Sequence, residues 1–509
     1  MTQPSQETEI CIAGPFTLAL LRAAPWLKDQ TPKRQQLRSV YWDTPEATLA
    51  RASTGLRLRR EAGRWVQTLK IEQGPDSRAE FNHVIAQRTV APLPAIDPAG
   101  LPSSTALHSL GIKKSTQRAL EETDRLLPQF EVRVTRQIWT ISYGESELEI
   151  AYDHGEIFAT EANAASGLAA QENPHRHCPI NELELELVSG NAAALWSLAR
   201  EFLLWLSGGF AIEPRSKALR GYRLVWPTAG RMIKTAACSA RGFGPVLTHH
   251  LRAASHMLAH RLVQIPSRSN PEDIHQARVA LRQIRTLLKL LIAAGYPEPA
   301  QTLLPQCASL ATQLGPVRDI DVVLETILQP LRTRLPADTA LKNLTAAAQR
   351  YQADLRATVT SLLAGPLPPV LLCDLGQLCY AIPAEPLVAS PSAADFAKVE
   401  AERLKKRVDR REKRCRQQPG AESDHRLRLA HKALRYASPL LRDLGAPQNL
   451  TRWAKESARA QEKLGAAQDR ATALQTLSAA LHHSPISEAE QTRGLALVEG
   501  WLLTIDGGE

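Results

Sequence analysis

The stretch His275-Gln276-Ala277-Arg278-Val279-Ala280-Leu281-Arg282-Gln283-Ile284-Arg285 decides the architecture of the second half of the chain. Its basic residues return 150 positions later, in the same order, as His425, Arg428, Lys432 and Arg435. At the same offset, Leu314-Gly315-Pro316-Val317-Arg318-Asp319 is followed by Leu464-Gly465-Ala466-Ala467-Gln468-Asp469. A repeat of this kind predicts two similar helical units. Because the cations recur together with the apolar positions, it also predicts a doubled binding surface.

The basic residues of each copy share one face of a helix. At about 100° per residue they fall within an arc of roughly 80°. Like charges three or four residues apart destabilise a helix by about 0.2–0.5 kcal/mol per pair. Two such stripes therefore favour a polyanionic ligand. The predicted polyanion-binding residues are His275, Arg278, Arg282, Arg285, Lys289, His425, Arg428, Lys432 and Arg435.

Ion pairing within the protein is an alternative role for these stripes. Each cation could pair with an acid of a neighbouring helix, such as Asp319, Asp321 or Asp469. Nucleic acid is a less suitable ligand, because base recognition needs amide or aromatic side chains on the same face. Aromatic residues make up only 5% of the chain.

Charge is unevenly distributed over the 509 residues. The net charge is +10, the sum of +11 from Arg231 onward and −1 in the part before it. A basic half favours polyanionic partners. The seven cysteines form no CxxC pair, so the sequence predicts neither a zinc ribbon nor a thioredoxin-type site. Such scattered cysteines are typical of a reducing cytoplasm, and no apolar run approaches the ~20 residues that span a bilayer.

Periodicity divides the chain into a strand-rich and a helix-rich part. The first part shows period-two alternation and the second shows period 3.6. We expect a strand domain over 5–225, a linker over 226–241 and a helical domain over 242–490, with repeats at 242–364 and 392–485. A Pro-rich break is predicted over 365–391, and separate helices are predicted over 448–465 and 468–482.

Acidic residues alternate along two predicted strands of the first part. Glu7-Thr8-Glu9 opens the first strand, and Glu182-Leu183-Glu184-Leu185-Glu186 forms the last. Residues two apart on a strand point to the same face, and carboxylates so close together need a counter-charge. Mg²⁺ or Mn²⁺ would supply it. Cations with the same spacing, Arg57-x-Arg59, Lys70 and Arg78, would neutralise the phosphates of a metal–polyphosphate complex.

The first part resembles a CYTH domain, the triphosphate tunnel metalloenzyme fold. The resemblance depends on the two acidic stretches and on Tyr41-Trp42-Asp43-Thr44-Pro45, Leu56-Arg57-Leu58-Arg59, Thr68-Leu69-Lys70, Asp153-x-Gly155, Ser216-Lys217 and Arg220-Gly221-Tyr222. It implies an eight-stranded antiparallel barrel that forms a tunnel. It also implies Mg²⁺- or Mn²⁺-dependent hydrolysis of a triphosphate.

The same resemblance implies the roles of individual residues. The metal ligands would be Glu7, Glu9, Asp153, Glu182 and Glu184. The catalytic residues would be Glu7, Glu9, Lys70 and Arg136. The phosphate contacts would be Arg57, Arg59, Lys70, Arg78, Arg136, Lys217 and Arg220.

One position departs from the family pattern. The opening motif ExExK reads Glu7-Thr8-Glu9-Ile10-Cys11, so that Cys11 replaces the lysine. The loss of one charge-assisted contact to phosphate costs roughly 1.5–3 kcal/mol. The sequence therefore predicts a weakened enzyme.

The second part resembles a CHAD domain. The resemblance depends on the two copies of the basic stretch and of the Leu-Gly stretch described above. It implies two pseudo-symmetric four-helix bundles with basic faces, and binding of inorganic polyphosphate. Fused CYTH–CHAD proteins are similar to bacterial inorganic triphosphatases.

These observations predict a cytoplasmic, metal-dependent inorganic triphosphatase, associated with polyphosphate granules through its helical domain. The expected partners are inorganic triphosphate and polyphosphate, without a specific nucleic acid or a membrane. One alternative is a polyphosphate-binding or granule-associated protein without catalysis. Another is an enzyme for an organic triphosphate, such as a thiamine triphosphatase or an adenylate cyclase.

Overall fold

The computed structural model describes residues 5–61, 63–74, 77–85, 93–160, 177–226, 238–268, 270–383, 392–482 and 486–506. The chain forms two compact units, Met1–Ala237 and Cys238–Glu509. The division falls within the predicted linker 226–241, most of which lies outside the described residues.

The first unit is built on one antiparallel sheet. Its strands are β1 Ser5–Glu7, β2 Glu9–Ala13, β3 Lys33–Asp43, β4 Thr54–Glu61, β5 Arg64–Gly74, β6 Ser77–Ile85, β7 Leu127–Tyr143, β8 Ser146–Ala159, β9 His177–Ser189 and β10 Ala211–Ile212. Their order in the sheet is β1-β6-β5-β4-β3-β7-β8-β9-β2-β10. The predicted antiparallel domain is confirmed.

The sheet closes through the segment 5–13. Within this segment β1 pairs with β6, where Glu7 lies opposite Arg78, and β2 pairs with β9, where Glu9 lies opposite Glu186. Only Thr8 separates β1 from β2. With 5–13 counted as one strand, eight strands form the ring. β10 pairs with the last two residues of β2, Ile12 and Ala13.

Alternation along β9 separates the interior of this ring from its outer face. Leu183 and Leu185 are fully buried on one face, and Glu182 and Glu184 point to the other. Among the helices outside the sheet, α5 (Ala193–Leu206) contacts β2 and β9. The helices of this unit are α1 Leu18–Ala23, α2 Thr48–Arg51, α3 Ser104–Ser109, α4 Lys114–Glu121, α5 Ala193–Leu206 and α6 Lys217–Val225, with 3₁₀ turns at Pro98–Gly100 and Thr123–Arg125.

The second unit is helical throughout its described length. Its helices are α7 Phe243–Gln264, α8 Pro271–Ala293, α9 Ala300–Gln313, α10 Gly315–Val322, α11 Gln329–Arg334, α12 Thr339–Ala364, α13 Leu367–Ala381, α14 Ala393–Gln417, α15 Ala421–Asp443, α16 Asn449–His482 and α17 Glu488–Asp506, with a π-helix at Val323–Leu328. Both ends of α8 and α15 differ by 150 residues. The internal repeat therefore corresponds to the same helix in each half of the unit.

Two predicted boundaries in this unit are wrong. The Pro-rich break contains α13, because Pro368 and Pro369 lie in the first turn of the helix, where a missing N–H loses no intrahelical hydrogen bond. The two helices predicted over 448–482 are one helix, α16. Gly465 in its interior lowers the helix propensity by about 1 kcal/mol, which a long helix tolerates.

No single described helix is long and apolar enough to cross a membrane. The bent pair α12 and α13, with 53° between the two helices, passes the same test jointly by length and composition.

Candidate active site

Three carboxylates converge on the inner face of β8 and β9. The backbone register places Arg136, Asp153 and Glu182 side by side on β7, β8 and β9. Glu184 follows two residues further along β9. One oxygen atom from each of Asp153, Glu182 and Glu184 lies within 4.8 Å of the others. We call these three residues the acidic cluster.

Cations surround the acidic cluster. Lys217 Nζ lies 2.8 Å from Asp153 Oδ2 and 2.5 Å from oxygen atoms of both Glu182 and Glu184. Arg136 donates two hydrogen bonds to Asp153, of 2.7 and 2.6 Å, and a further one to Glu184. Arg220 Nη2 lies 2.5 Å from Glu182 Oε2. The charges are therefore balanced by ion pairs, as buried charges must be.

Glu184 of the acidic cluster is ionised at neutral pH. Burial would raise the pKa of Glu184, but the charges of Lys217 and Arg136 outweigh it and hold that pKa well below its usual value. Burial would likewise lower the pKa of Lys217, but Glu182, Glu184 and Asp153 raise it well above its usual value. Each charge is thus stabilised by its partners.

Arginine and lysine side chains from β4 and β5 form a second group, which we call the basic wall: Arg57, Arg59 and Lys70. Arg57 Nη2 lies 3.6 Å and Lys70 Nζ 3.1 Å from the carboxylate of Glu80. Arg59 donates a 2.9 Å hydrogen bond from Nε to Ser39 Oγ. Burial lowers the pKa of Arg59 to about 10, and the charge of Arg57 contributes to the shift. This repulsion between Arg57 and Arg59 shows that positive charge accumulates in the wall.

Buried Tyr41 lies in the positive potential of the basic wall. Burial would raise the pKa of its phenol, but the charges of Arg57, Arg59 and Lys70 lower it overall. Its ring stacks on Phe130 with centroids 4.6 Å apart. The potential therefore favours anions beside the basic wall, while the tyrosine ring itself is already packed.

The acidic cluster and the basic wall act on each other electrostatically. The charge of Lys70 contributes to the low pKa of Glu184. The charge of Arg136 contributes to the low pKa of Arg59. The carboxylates of the acidic cluster and the cations of the basic wall therefore lie within one closed sheet.

Cys11 lies beside the acidic cluster. It pairs with Glu184 across β2 and β9. Burial and the charge of Glu182 raise the pKa of its thiol well above the usual value, so the thiol stays protonated. Lys217 and Arg220 are near enough to oppose this shift. Cys11 thus occupies the position predicted for the motif lysine, close to the ammonium group of Lys217.

The structure brings together most of the predicted residues of the first unit. Asp153, Glu182, Glu184, Arg136, Lys217 and Arg220 form one group, and Arg57, Arg59 and Lys70 form the other. Glu9 is half-buried on β2 and is not among the three clustered carboxylates. The side chains of Glu7 and Arg78 lie outside the described residues.

Sequence reasoning missed two neighbours of the basic wall, Glu80 and Tyr41. Glu80 stands two residues after Arg78, but nothing in this spacing predicts that Arg57 and Lys70 both contact it. Lys217 was predicted as a phosphate contact, and its ammonium group contacts all three carboxylates of the acidic cluster.

The donor set of the acidic cluster fits a hard divalent cation. Asp153 and Glu182 are almost completely buried, at 0% and 1% exposure, and the side chain of Glu184 retains 17%. Carboxylate oxygens are the ligands that Mg²⁺ and Mn²⁺ prefer. A cation bound there would share these oxygens with Lys217 and Arg136.

In the second unit, the predicted cations of α8 and α15 form a basic face. Burial and the charges of Arg318 and Arg282 lower the pKa of His275. Burial and the charges of Arg285 and Arg407 lower the pKa of Lys289. These shifts show that positive charge from several helices accumulates along this face.

Tyr436 joins the two repeats at the centre of this face. Arg282 of α8 donates a 2.9 Å hydrogen bond to Tyr436 Oη, and its guanidinium carbon lies 5.2 Å from the ring centroid. Arg435 of α15 lies 5.1 Å from the same centroid. One aromatic ring thus holds an arginine from each repeat.

Ion pairs with neighbouring carboxylates do not involve all the cations of this face. Among the described residues, no carboxylate forms an ion pair with Arg282, Arg285 or Lys289. Asp321 pairs with Arg356 instead, at 2.9 Å. Asp319 acts on Arg278 electrostatically, and the side chain of Asp469 lies outside the described residues.

Family comparisons agree with this division of the chain. Residues 7–222 match the CYTH domain. Residues 249–478 match the CHAD domain. The chain therefore contains a match to the CYTH domain family in its first unit and a match to the CHAD domain family in its second.

Individual relatives match at low identity. An inorganic triphosphatase of Haemophilus influenzae is 30% identical over 196 residues, which are 37% of this chain and 46% of that protein. An uncharacterized protein of Mycobacterium tuberculosis is 27% identical over 340 residues, which are 66% of this chain and 61% of that protein. These matches thus span about half to three fifths of the curated relatives.

Among solved structures, the CHAD domain from the plant Ricinus communis is 25% identical, with a TM-score of 0.44. The match covers 53% of this chain and 90% of that one.

Proposed function

We propose that the CYTH domain hydrolyses inorganic triphosphate or short polyphosphate with a divalent metal ion, and that the CHAD domain binds longer polyphosphate. The observation that carries the proposal is the acidic cluster beside the basic wall inside one closed sheet. A triphosphate with its metal ion needs both kinds of charge close together.

Each group of side chains has a distinct part in this proposal. Asp153, Glu182 and Glu184 would hold Mg²⁺ or Mn²⁺, which when bound polarises phosphoryl oxygens and lowers the pKa of a coordinated water. Arg57, Arg59 and Lys70 would neutralise phosphate oxygens and orient the chain. The surrounding protein excludes water, which strengthens these interactions.

An inorganic substrate is favoured over an organic one by the state of Tyr41. An adenine or thiazolium ring would gain from an aromatic stacking partner. The charges of the wall lower the pKa of Tyr41, but this side chain is buried and already stacked on Phe130. The guanidinium and ammonium groups of the wall suit phosphoryl oxygens, and its contacts described above, with Glu80 and Ser39, include no aromatic ring for a base to stack on.

The proposal is tested by phosphate release from tripolyphosphate, ATP and thiamine triphosphate, with Mg²⁺, with Mn²⁺ and with chelator. We expect tripolyphosphate to be the fastest substrate and the chelator to abolish turnover. Faster cleavage of ATP or thiamine triphosphate would indicate an organic triphosphatase. Absence of turnover with every substrate would indicate a polyphosphate-binding protein without catalysis.

We predict that Cys11→Lys raises turnover of tripolyphosphate by about tenfold to a hundredfold, because one charge-assisted hydrogen bond is worth roughly 1.5–3 kcal/mol. Initial rates at saturating substrate measure the effect. The matched control is Cys178→Lys, a change of the same kind on β9 outside the acidic cluster. Unchanged turnover in Cys11→Lys would show that Lys217 already supplies the missing ammonium group.

For the CHAD domain we predict that Arg282→Ala combined with Lys432→Ala weakens polyphosphate binding and flattens its dependence on salt. Each lost phosphate contact should reduce the slope of log affinity against log salt by about one, by analogy with nucleic acids. Polyphosphate titrations at several salt concentrations measure it. Arg332→Ala, an exposed arginine of α11, should leave the slope unchanged. Equal slopes for the double variant and the wild type would rule out this face as the binding surface.

A further inference from the structure

A second set of metal-binding side chains lies in the helical unit, apart from the basic face. Cys238, His250 and Asp443 each present one donor atom, and the three atoms lie within 4.8 Å of one another. We call these residues the thiol cluster. Cys238 precedes α7, His250 lies within α7, and Asp443 is the last residue of α15. Three separate segments of the chain thus converge on one point.

The contacts within the thiol cluster suit coordination. His250 Nε2 lies 2.9 Å from Asp443 Oδ2, and the two side chains retain 12% and 22% of their exposure. Cys238 is half-buried. Burial lowers the pKa of His250 in spite of the attraction of Asp443, so the imidazole is neutral near pH 7 and able to bind a metal. The donors are shielded but reachable from solvent.

The thiol of Cys238 lies beside the carboxylate of Asp443. Burial and the charge of Asp443 raise its pKa, and Arg241 opposes the shift only in part. A thiol beside a carboxylate is therefore poorly suited to act as a nucleophile. A bound metal ion would instead satisfy the thiolate and the carboxylate together, and the thiol proton would be released on binding.

Duplication does not account for the thiol cluster. The positions 150 residues away from His250 and Asp443 are Glu400 and Ala293, and the position that corresponds to Cys238 is Val388. Glu400 pairs with Arg403 at 2.7 Å. Cys238, His250 and Asp443 therefore form a set that occurs once, whereas the cations of the basic face occur in both repeats.

We propose that Cys238, His250 and Asp443 form a Zn²⁺ site with one thiolate, one imidazole and one carboxylate ligand. A mixed set of sulfur, nitrogen and oxygen donors selects Zn²⁺ over Mg²⁺, which prefers oxygen alone. The site is thus chemically distinct from the acidic cluster. The bound ion cross-links the beginning of the helical unit to α7 and to the end of α15.

Cobalt substitution tests the proposal on the full chain. The chain carrying Cys11→Ser, which removes the thiol near the acidic cluster, is freed of metal with chelator and titrated with Co²⁺. We expect thiolate-to-cobalt charge-transfer absorption in the near ultraviolet, with one equivalent bound, and its displacement by Zn²⁺. Cys238→Ser or His250→Gln in the same background should remove the absorption and weaken Zn²⁺ binding by more than about a hundredfold, since loss of an outer-shell partner alone costs 10- to 100-fold.

Cys415→Ser provides the matched control. Cys415 Sγ lies 2.8 Å from Asp424 Oδ1, and no third donor joins this pair among the described residues. Its replacement should leave the cobalt spectrum unchanged. Absence of charge-transfer absorption before any cluster substitution, or its survival in both Cys238→Ser and His250→Gln, overturns the proposal. Neither result depends on hydrolysis of triphosphate.

Discussion

Glu184→Gln should lower the turnover of tripolyphosphate about a thousandfold. Glu184 is the most exposed member of the acidic cluster, so it is the carboxylate best placed to meet a metal ion and a substrate. Metal coordination supplies several kcal/mol of transition-state stabilisation, and each 1.36 kcal/mol changes the rate about tenfold. Asp153 and Glu182 would remain as partners for Lys217 and Arg136, so the fold should survive. Phosphate release at saturating Mg²⁺ measures the loss.

Glu186→Gln is the matched control for this prediction. Glu186 lies two residues further along the same strand and is not one of the three clustered carboxylates. This variant should keep most of the activity. If both variants lost activity equally, alternation of charge along β9 would matter rather than the cluster. If Glu184→Gln stayed active, the acidic cluster would not be the catalytic metal site.

Gly155→Ala should destabilise the CYTH domain by about 3 kcal/mol, at the upper end of what overpacking costs. A Cβ atom at Gly155 would lie 2.0 Å from the carbonyl oxygen of Arg133 and 2.8 Å from Val134 Cα. Both atoms belong to the backbone of β7, so β7 and β8 would have to separate. Hydrogen exchange of the full chain in increasing urea would measure the free energy of unfolding of this domain apart from the helices.

Gly55→Ala offers a comparison within the same sheet. A Cβ atom at Gly55 would have its nearest neighbours at 3.8 and 3.9 Å, which is ordinary contact. This variant should change stability by less than about 1 kcal/mol. Since Gly155 lies two residues after Asp153, its replacement should also disturb the pairing of Asp153 with Arg136. Equal stability of the two variants would contradict the close approach of β7 and β8.

Patterns in the sequence predicted the site residues that lie on strands. The alternation of Glu182 and Glu184 with leucines determines which face they occupy, because successive side chains of a regular strand point to opposite faces. The repeat of cations predicted the basic face for the same reason, since helical period fixes which residues are neighbours. In both cases a local rule was sufficient.

Contacts between distant segments were not predictable in this way. Lys217 begins α6, and no periodicity indicates that it meets Asp153 on β8. The thiol cluster is a stronger example, because its cysteine, histidine and aspartate follow no metal-binding spacing and come together only through packing of α7 and α15. The helix α13 was missed because prolines mark a break in most positions, but not in a first turn.

The closure of the sheet through the segment 5–13 has a consequence for biosynthesis. This segment is translated before both of its partners, β6 and β9, and β9 ends only at Ser189. Pairings between segments so far apart in the chain form slowly, because closing the long loop between them costs conformational entropy before any native contact forms. The segment 5–13 must therefore remain without its β9 partner until most of the domain has been translated. A chaperone that shields this segment during elongation should raise the yield of folded protein.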